Sequence, residues 1–269
     1  MRYIELLNKY LPLAKLKGLE EEAVKLIISE IAGYYQTEIY LHYNDVIPHK
    51  LEKKMVSGIE KYLTGYPAQY ILGYTYFYGT KILVNENVLI PRFDTEVVVD
   101  FALKVAKAYH NPHILDVCCG SGAIAIAMAK EGYHVDGLDI SKKALKVANE
   151  NALLNNVKIH FFESDLLRNV KEKYDILVTN PPYIAKGEYV DKMVLDNEPH
   201  LALFSDNDGL EHYHNILKDA SRVLNPGGTI VFEIAYNKAE VLKNLVLMYF
   251  KNVHVEKDFA GNDRVMIIN

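Results

Sequence analysis

The 269-residue chain has no tryptophan and only two cysteines, Cys118 and Cys119, which are neighbours. Adjacent thiols cannot staple distant segments, and they lack the C-x-x-C spacing of a redox or zinc site. They read as reduced, packed thiols of a cytoplasmic protein. No stretch holds the eighteen or so consecutive apolar residues of a membrane span, and the opening MRYIELLNKY has no hydrophobic core of a signal peptide. Positive charge is also short. Lys+Arg 30 against Asp+Glu 35 gives a net charge of −5, the wrong sign for a chain whose main task is neutralising phosphates. Stable nucleic-acid binding is therefore not expected. No HExxH or similar pattern appears, and His212 and His214, two apart on a predicted helix, do not share a face. No metal and no catalytic Asp–His pair are expected, and these histidines read as surface or internally satisfied. Internal repeats and low-complexity tracts are lacking too.

What is present suffices for a sizeable core: 50% of residues are hydrophobic and 24% charged. From Tyr3 to about Leu63 apolar residues recur at helical spacing, as in Val24, Ile27, Ile28 and Ile31, punctuated by Gly18, Gly33, Pro48 and Gly58. This predicts a small helical bundle over residues 1–64. Residues 65–86 form a connector, broken by Gly65, Pro67 and Gly73 and then reading as a β-hairpin around Gly79. Residues 87–269 alternate helical and strand patterns. Strands are predicted at 113–118, 133–139, 157–163, 174–179, 229–234, 252–258 and 264–268, and helices at 94–109, 121–131, 142–155, 209–223 and 237–249. Strands separated by helices imply an α/β, doubly wound, mostly parallel seven-stranded sheet. The last two strands, close in sequence, predict an antiparallel edge.

The segment HILDVCCGSGAIAIAMA places a buried strand, a tight Gly120-x-Gly122 turn and a small-residue helix in succession. Glycine lets a ligand approach the backbone, and the helix N-terminus offers free N–H groups. Asp139 lies about twenty residues beyond, where a ribose-binding carboxylate belongs. Asp116, read as standing at the mouth of the first strand, would repel a pyrophosphate and welcome a cation. S-adenosylmethionine, cationic and free of phosphate, fits better than a dinucleotide. Asp165 follows the third strand and could accept from an adenine amino group, with the Leu166 N–H offered to the ring. A cap or turn role for Asp165 stands beside that reading.

Asn180-Pro181-Pro182-Tyr183 follows the strand 174–179, at the end of a strand where substrates bind in open α/β sheets. A rigid turn would use the same residues, but the adjacent adenosine-type site favours chemistry. An amide or aryl-amine nitrogen is a poor nucleophile because its lone pair is delocalised. Two acceptors on its N–H bonds, Asn180 Oδ1 and the Pro181 carbonyl, would aim that lone pair. The prolines add rigidity without competing donors, and Tyr183 offers a flat face. Positioning and desolvation would then carry most of the catalysis.

The motifs Pro67-Ala68-Gln69-Tyr70-Ile71-Leu72-Gly73, Phe77-Tyr78-Gly79, Val88-Leu89-Ile90-Pro91-Arg92, Thr95-Glu96, Leu115-Asp116, Gly120-Ser121-Gly122, Asp139-Ile140-Ser141 and Asn180 to Tyr183 together resemble the HemK/PrmC family of protein-(glutamine-N5) methyltransferases. Glu198 to Leu203, Asp208-Gly209-Leu210 and Asp263-Arg264-Val265 extend the likeness to the C-terminus. The resemblance implies a Rossmann-like class I S-adenosylmethionine-dependent methyltransferase domain. It also implies methylation of the glutamine in the Gly-Gly-Gln loop of peptide chain release factors, with the helical N-terminal domain engaging that protein substrate and the enzyme a monomer. A ribosomal-protein glutamine methyltransferase, an RNA or DNA amino-methyltransferase and a non-catalytic adenosyl-binding regulator are the alternatives. By the same likeness Asp116, Cys118, Gly120, Gly122, Asp139, Ile140, Asp165, Leu166 and Asn180 would contact the cofactor. Phe77, Asn180, Pro181, Pro182 and Tyr183 would form the glutamine pocket.

Cys118-Cys119 stands where the family usually has Gly-Thr, Phe93-Asp94 where it has Pro-Glu, and Ala235 and Asn237-Lys238 where it has glycine and glutamine. Arg92, Thr95 and Glu96 read as a helix start, with Thr95 or Asp94 capping, ahead of direct ligand contact. The tyrosine run Tyr62, Tyr66, Tyr70, Tyr74, Tyr76 and Tyr78 reads as a partner face or as packing. Glu198 to Leu203 reads as a lid or as a turn with a buried Leu-Ala-Leu.

Overall fold

A computed structural model describes all residues, 1–269, and divides them into two compact units: Met1–Tyr74 with Val190–Asn197, and Thr75–Tyr189 with Glu198–Asn269. The first unit contains helices α1 (Tyr3–Leu16), α2 (Glu21–Ala32), α3 (His49–Tyr62) and α4 (Ala68–Leu72), and a short helix late in the chain, α8 (Lys192–Asn197). Val24, Ile27 and Ile28, at the spacing that puts them on one face of α2, are fully buried with Leu6, Met55 and Ile59. Helix α2 stops at Gly33, whose φ of 77° few other residues tolerate. Met193 of α8 packs against this core, and the Asn197 side chain donates to the Gly65 carbonyl at 2.9 Å.

The second unit holds the hairpin β1 (Tyr74–Phe77) and β2 (Thr80–Leu83), where the sequence places it, and a seven-stranded sheet. In chain order the sheet elements are α5 (Phe93–Ala106), β3 (His113–Val117), α6 (Ala123–Lys130), β4 (His134–Asp139), α7 (Lys142–Leu154), β5 (His160–Glu163) and β6 (Tyr174–Thr179). A kinked turn of helix, α9 (Asp206–Gly209), precedes α10 (Glu211–Val223), β7 (Leu224–Glu233), α11 (Ala239–Val246), β8 (Val253–Lys257) and β9 (Asp263–Ile268). The strand order is β5-β4-β3-β6-β7-β9-β8. All neighbours are parallel except β9, which is antiparallel to both β7 and β8. The chain runs outward from β3 in one direction through β4 and β5, then crosses to β6 and β7. The switch point between β3 and β6 opens the crevice in which such sheets bind ligands. Leu115, Val117, Leu138, Leu177, Ile230 and Phe232 belong to the core beneath it.

Several element boundaries differ from expectation by a few residues, three of them instructively. Strand β7 begins at Leu224 rather than 229: Tyr174 pairs with Leu224 and Ile176 with Thr229, so Asn225 to Gly228 bulge out of a continuing ladder. Strand β5 starts only at His160, because the Val157 N–H is drawn back to the Ala152 carbonyl at the end of α7. Helix α11 starts at Ala239, after Lys238, whose ammonium is spent on carbonyls elsewhere.

Candidate active site

The C-terminal ends of β3, β4, β5 and β6 meet at a cavity whose empty space, open mouth included, is ≈ 790 Å³. Cys118 and Gly120 after β3, Asp139 and Ile140 after β4, Asp165 and Leu166 after β5, and Asn180 and Pro182 after β6 all line it. Eight of the expected site residues thus come together from four loops. Phe77, which is 1% exposed, and Pro181 and Tyr183 are not on that wall.

Asp139 is held by two backbone donors: the Gly120 N–H reaches Oδ2 at 2.9 Å and the Ser141 N–H reaches Oδ1 at 2.8 Å. Ser141 also caps α7, accepting from the Ala144 N–H at 3.2 Å. The Asp139 carboxylate is thereby fixed between the glycine turn and the next helix. Burial raises its pKa and the backbone donors oppose that rise. Gly120 has φ 54° and open space where a Cβ would stand, so ligand atoms can approach its backbone. Asp165 pairs with Arg168 at 2.7 Å and the Arg168 N–H bonds its carbonyl, so it turns the chain as well as facing the cavity.

Asp116 departs from the sequence expectation. It does not stand at the strand mouth but inside the sheet, between Gly137 of β4 and Val178 of β6, and it does not line the cavity. Its Oδ2 accepts from the Ala125 N–H at 3.1 Å, and its Oδ1, fully buried, has no hydrogen-bond partner. Burial above all, with the charge of Asp139, pushes its pKa up to about 8. An orphaned acid of this kind suits a cationic donor and resists an anion. Gly122 is also displaced from its expected role. A Cβ there would meet Phe161 Cζ at 3.0 Å and Ala148 at 3.2 Å, so the glycine serves packing beneath the turn rather than ligand contact. Cys118 takes a left-handed φ of 61°, costly for a side chain with a Cβ, where glycine would be relaxed. Burial and the nearby acids Asp139 and Asp116 push its pKa well up, so it is a neutral thiol on the cavity wall.

Asn180 is oriented from outside the cavity. Its Nδ2 donates to Thr95 Oγ1 at 3.2 Å, which leaves Oδ1 as the accepting end. Neither Thr95 nor Asp94 caps α5. Arg92 is the capping position and makes no side-chain cap bond, Asp94 pairs with Arg264 at 2.9 Å, and Glu96 accepts from the Tyr78 N–H at 2.7 Å. Tyr183 points its hydroxyl toward Glu233 Oε1, 3.5 Å away. Its carbonyl accepts from Lys238 Nζ at 2.9 Å, and the same ammonium bonds the Asp208 carbonyl and pairs with Glu188 at 2.8 Å. The loop after β6 is thus pinned on both sides.

Sequence reading missed several wall residues. Asn87, Val88 and Leu89 line the cavity ahead of α5; Pro199, Leu201 and Ala202 line it from the 198–203 segment, which the sequence offered as a lid or a turn. That segment is a pinned wall rather than a buried Leu-Ala-Leu turn: Leu203 is buried but Leu201 is 57% exposed. Glu198, 4% exposed, anchors it by accepting from the Ile90 N–H at 3.0 Å and from Arg92. His212 lines the cavity too. Its Nδ1 bonds Ser205 Oγ at 2.7 Å and burial lowers its pKa, so it is satisfied, as expected, though not at the surface. His214 contacts the Tyr249 hydroxyl at 2.9 Å. Of the tyrosine run, Tyr62 and Tyr70 are buried and only Tyr76 is largely exposed, which is mostly packing.

No helix is long and apolar enough to cross a membrane. Residues 95–261 match the family model "Methyltransferase small domain" and residues 8–73 the "PrmC N-terminal domain". Among solved structures, a ribosomal protein L11 methylase from Lactobacillus delbrueckii subsp. bulgaricus shares the fold at 22% identity and TM-score 0.52, covering 69% of this chain and 83% of its own. A methyltransferase from Pyrococcus furiosus does so at 19% identity and TM-score 0.52, covering 71% and 88%. The chain is 36% identical over 277 residues to a release factor glutamine methyltransferase of Enterococcus faecalis, covering 99% of this chain and 98% of the relative. It is 44% identical over 214 residues to one of Flavobacterium psychrophilum, covering 76% and 75%. With both family models and full-length relatives in agreement, the chain belongs to the release factor glutamine methyltransferase family.

Proposed function

We propose that this chain transfers a methyl group from S-adenosylmethionine to the side-chain amide N5 of the glutamine in the Gly-Gly-Gln loop of peptide chain release factors, in support of translation termination. The observation that carries the reading is Asn180. Its carboxamide lies on the cavity wall at the tip of β6 with Nδ2 committed to Thr95, so that an acceptor is presented to a substrate N–H. When bound, the cofactor supplies an electrophilic methyl on a cationic sulfur. The orphaned Asp116 Oδ1 and the open Gly120 backbone suit that cationic ligand, with Asp139 receiving the ribose hydroxyls and Asp165 and the Leu166 N–H the adenine. Cys118 and Ile140 complete its walls.

Asn180 Oδ1 and the Pro181 carbonyl would hold the two N–H bonds of the glutamine amide and turn its lone pair toward the methyl. Pro182 stiffens the loop and Tyr183, pinned by Lys238, keeps it in register. No base has to be charged beforehand, because a neutral nitrogen attacks a cation and the product sheds its proton afterwards. His212, held neutral by burial, is consistent with this economy. The helical unit would engage the protein substrate, with the enzyme acting as a cytoplasmic monomer without stable nucleic-acid binding.

Incubating the protein with a recombinant release factor and S-adenosylmethionine should add one methyl group to the loop glutamine, as read by peptide mass spectrometry. Labelled methyl appearing on a ribosomal protein or on RNA, with the release factor unmodified, would overturn the reading.

A further inference from the structure

At the edge of the sheet opposite the cavity, the first residues of β3 and β4 bring three metal-ligating side chains together. His113 opens β3 and His134 opens β4, and the two are direct register partners. Asp136 follows two positions after His134 on β4, so its side chain shares the same face of the sheet. The cavity end of β3, at Val117, is four strand steps from His113, roughly 13 Å away. Nothing in methyl transfer as derived above reaches this edge.

The imidazole of His113 is held between two rings. That of His134 stacks on it with centroids 4.1 Å apart and planes 2° from parallel, and that of Tyr174, from β6, lies with its centroid 4.3 Å away. His113 Nε2 contacts Asp136 Oδ2 at 3.0 Å. Tyr174, fully buried, donates its hydroxyl to the same carboxylate oxygen at 2.9 Å. Outer hydrogen bonds and packing of this kind are what aim the ligands of a metal site. One ligand atom from each of His113, His134 and Asp136 lies within 4.8 Å of the other two. Bonds of about 2.0–2.2 Å in a tetrahedral zinc site put neighbouring ligand atoms about 3.3 Å apart. His113 and Asp136 already stand near that spacing, so the adjustment falls to His134. That residue is exposed, beside Asp136 on the rim of an open hollow, and tilting its ring off the stack brings a nitrogen to the ion. Lys158 on the same rim is exposed and keeps its ammonium in water.

We propose that His113, His134 and Asp136 form a zinc site that ties β3 to β4 where their ladder begins, with water completing the tetrahedron. The ion would take the place of the His113–Asp136 hydrogen bond, with the ring proton of His113 on Nδ1. Two imidazoles and one carboxylate suit zinc, whereas calcium and magnesium require shells of oxygen. Tyr174 is a positioning residue that aims Asp136. No motif announces the set, because His113 and Asp136 are 23 residues apart and meet only through strand pairing.

The test strips the full chain with a chelator, keeps its thiols reduced with a phosphine, and titrates it with Zn²⁺ by calorimetry. Wild type should take up one zinc per chain, and free zinc at a hundredfold excess over Kd should raise Tm by roughly 5 °C. His134→Ala and Asp136→Asn should weaken that uptake by more than about a hundredfold, and Tyr174→Phe by about ten- to a hundredfold. A Kd for S-adenosylmethionine within about twofold of wild type identifies the variants that fold. X-ray absorption at the zinc edge of the wild-type protein needs no variant and stands if they do not fold. It should show nitrogen and oxygen neighbours at about 2.0 Å. Sulfur neighbours at about 2.3 Å, which would put the ion on Cys118 and Cys119, would overturn the proposal. So would a wild type with no saturable uptake, or undiminished uptake by folded His134→Ala and Asp136→Asn.

Discussion

Replacing Asp116 by asparagine removes a titratable acid from the middle of the sheet while keeping its shape. The side chain is 1% exposed and one oxygen has no partner, and burial takes its pKa from 3.8 to about 8. That displacement corresponds to roughly 6 kcal/mol by which the ligand-free site disfavours the anion. At pH 7 roughly nine-tenths of the ligand-free protein therefore carries the neutral acid. A cationic group bound in the cavity, whose wall residue Asp139 lies near enough to raise the Asp116 pKa, favours the Asp116 anion, so S-adenosylmethionine binding at pH 7 should release up to one proton from this position. The affinity should accordingly rise by up to roughly tenfold per pH unit from about pH 6 to 7 and level off near pH 8. Calorimetric titrations at pH 7 in two buffers of different ionisation enthalpy give the number of protons released. Asp139 and Glu233 are also raised by burial, so the quantity of interest is wild type minus Asp116→Asn. The expected difference is up to one proton, with weaker binding in the variant. Stability without ligand gives a second readout. The folded value lies above the unfolded one, so the contribution of Asp116 is complete below about pH 4 and is lost as pH rises through about 8. Wild type should lose urea resistance between about pH 4 and 8 more steeply than Asp116→Asn, with the two profiles running parallel above about pH 8. Equal proton release by the two proteins would refute the assignment of Asp116 as the acid that responds to the cation.

Asn180→Ala should cut kcat on the order of a hundredfold while the cofactor Kd measured by calorimetry stays within about twofold, and parallel losses would contradict a role at the nitrogen. In Gly137→Ala the new Cβ would stand 2.5 and 2.6 Å from ring atoms of Phe161, so urea denaturation should show a loss of about 1–3 kcal/mol from overpacking. An unchanged midpoint would show that the ring moves aside freely. Ile28→Ala empties a fully buried position in the helical unit and should cost about 2–5 kcal/mol by the same measurement.

What could be read from sequence and what could not divides along a physical line. Period and punctuation are local, and they located α2 through Val24, Ile27 and Ile28, the hairpin at Gly79 and the parallel strands that deliver Asp139, Asp165 and Asn180 to one edge. Depth is not local. Asp116 and Asp139 both close a strand before a turn, yet one is sealed between two neighbouring strands and the other faces the cavity, because β3 is central and its last residues lie under α6. The same ignorance of depth made Gly122 look like a ligand position, when the space it leaves is filled by Phe161 from the neighbouring strand β5. Partners distant in sequence are also beyond a local pattern. Thr95 sits in a stretch with every mark of a helix cap, and what turns it to another task is Asn180, 85 residues away. Glu198 is a comparable case, since its bond to the Ile90 N–H spans 108 residues and makes a wall of what looks like a loop. A carboxamide in Asn-Pro-Pro-Tyr announces itself in the sequence because its neighbours in the chain are prolines. The group that decides which way the carboxamide faces does not, because the two become neighbours only when the sheet closes.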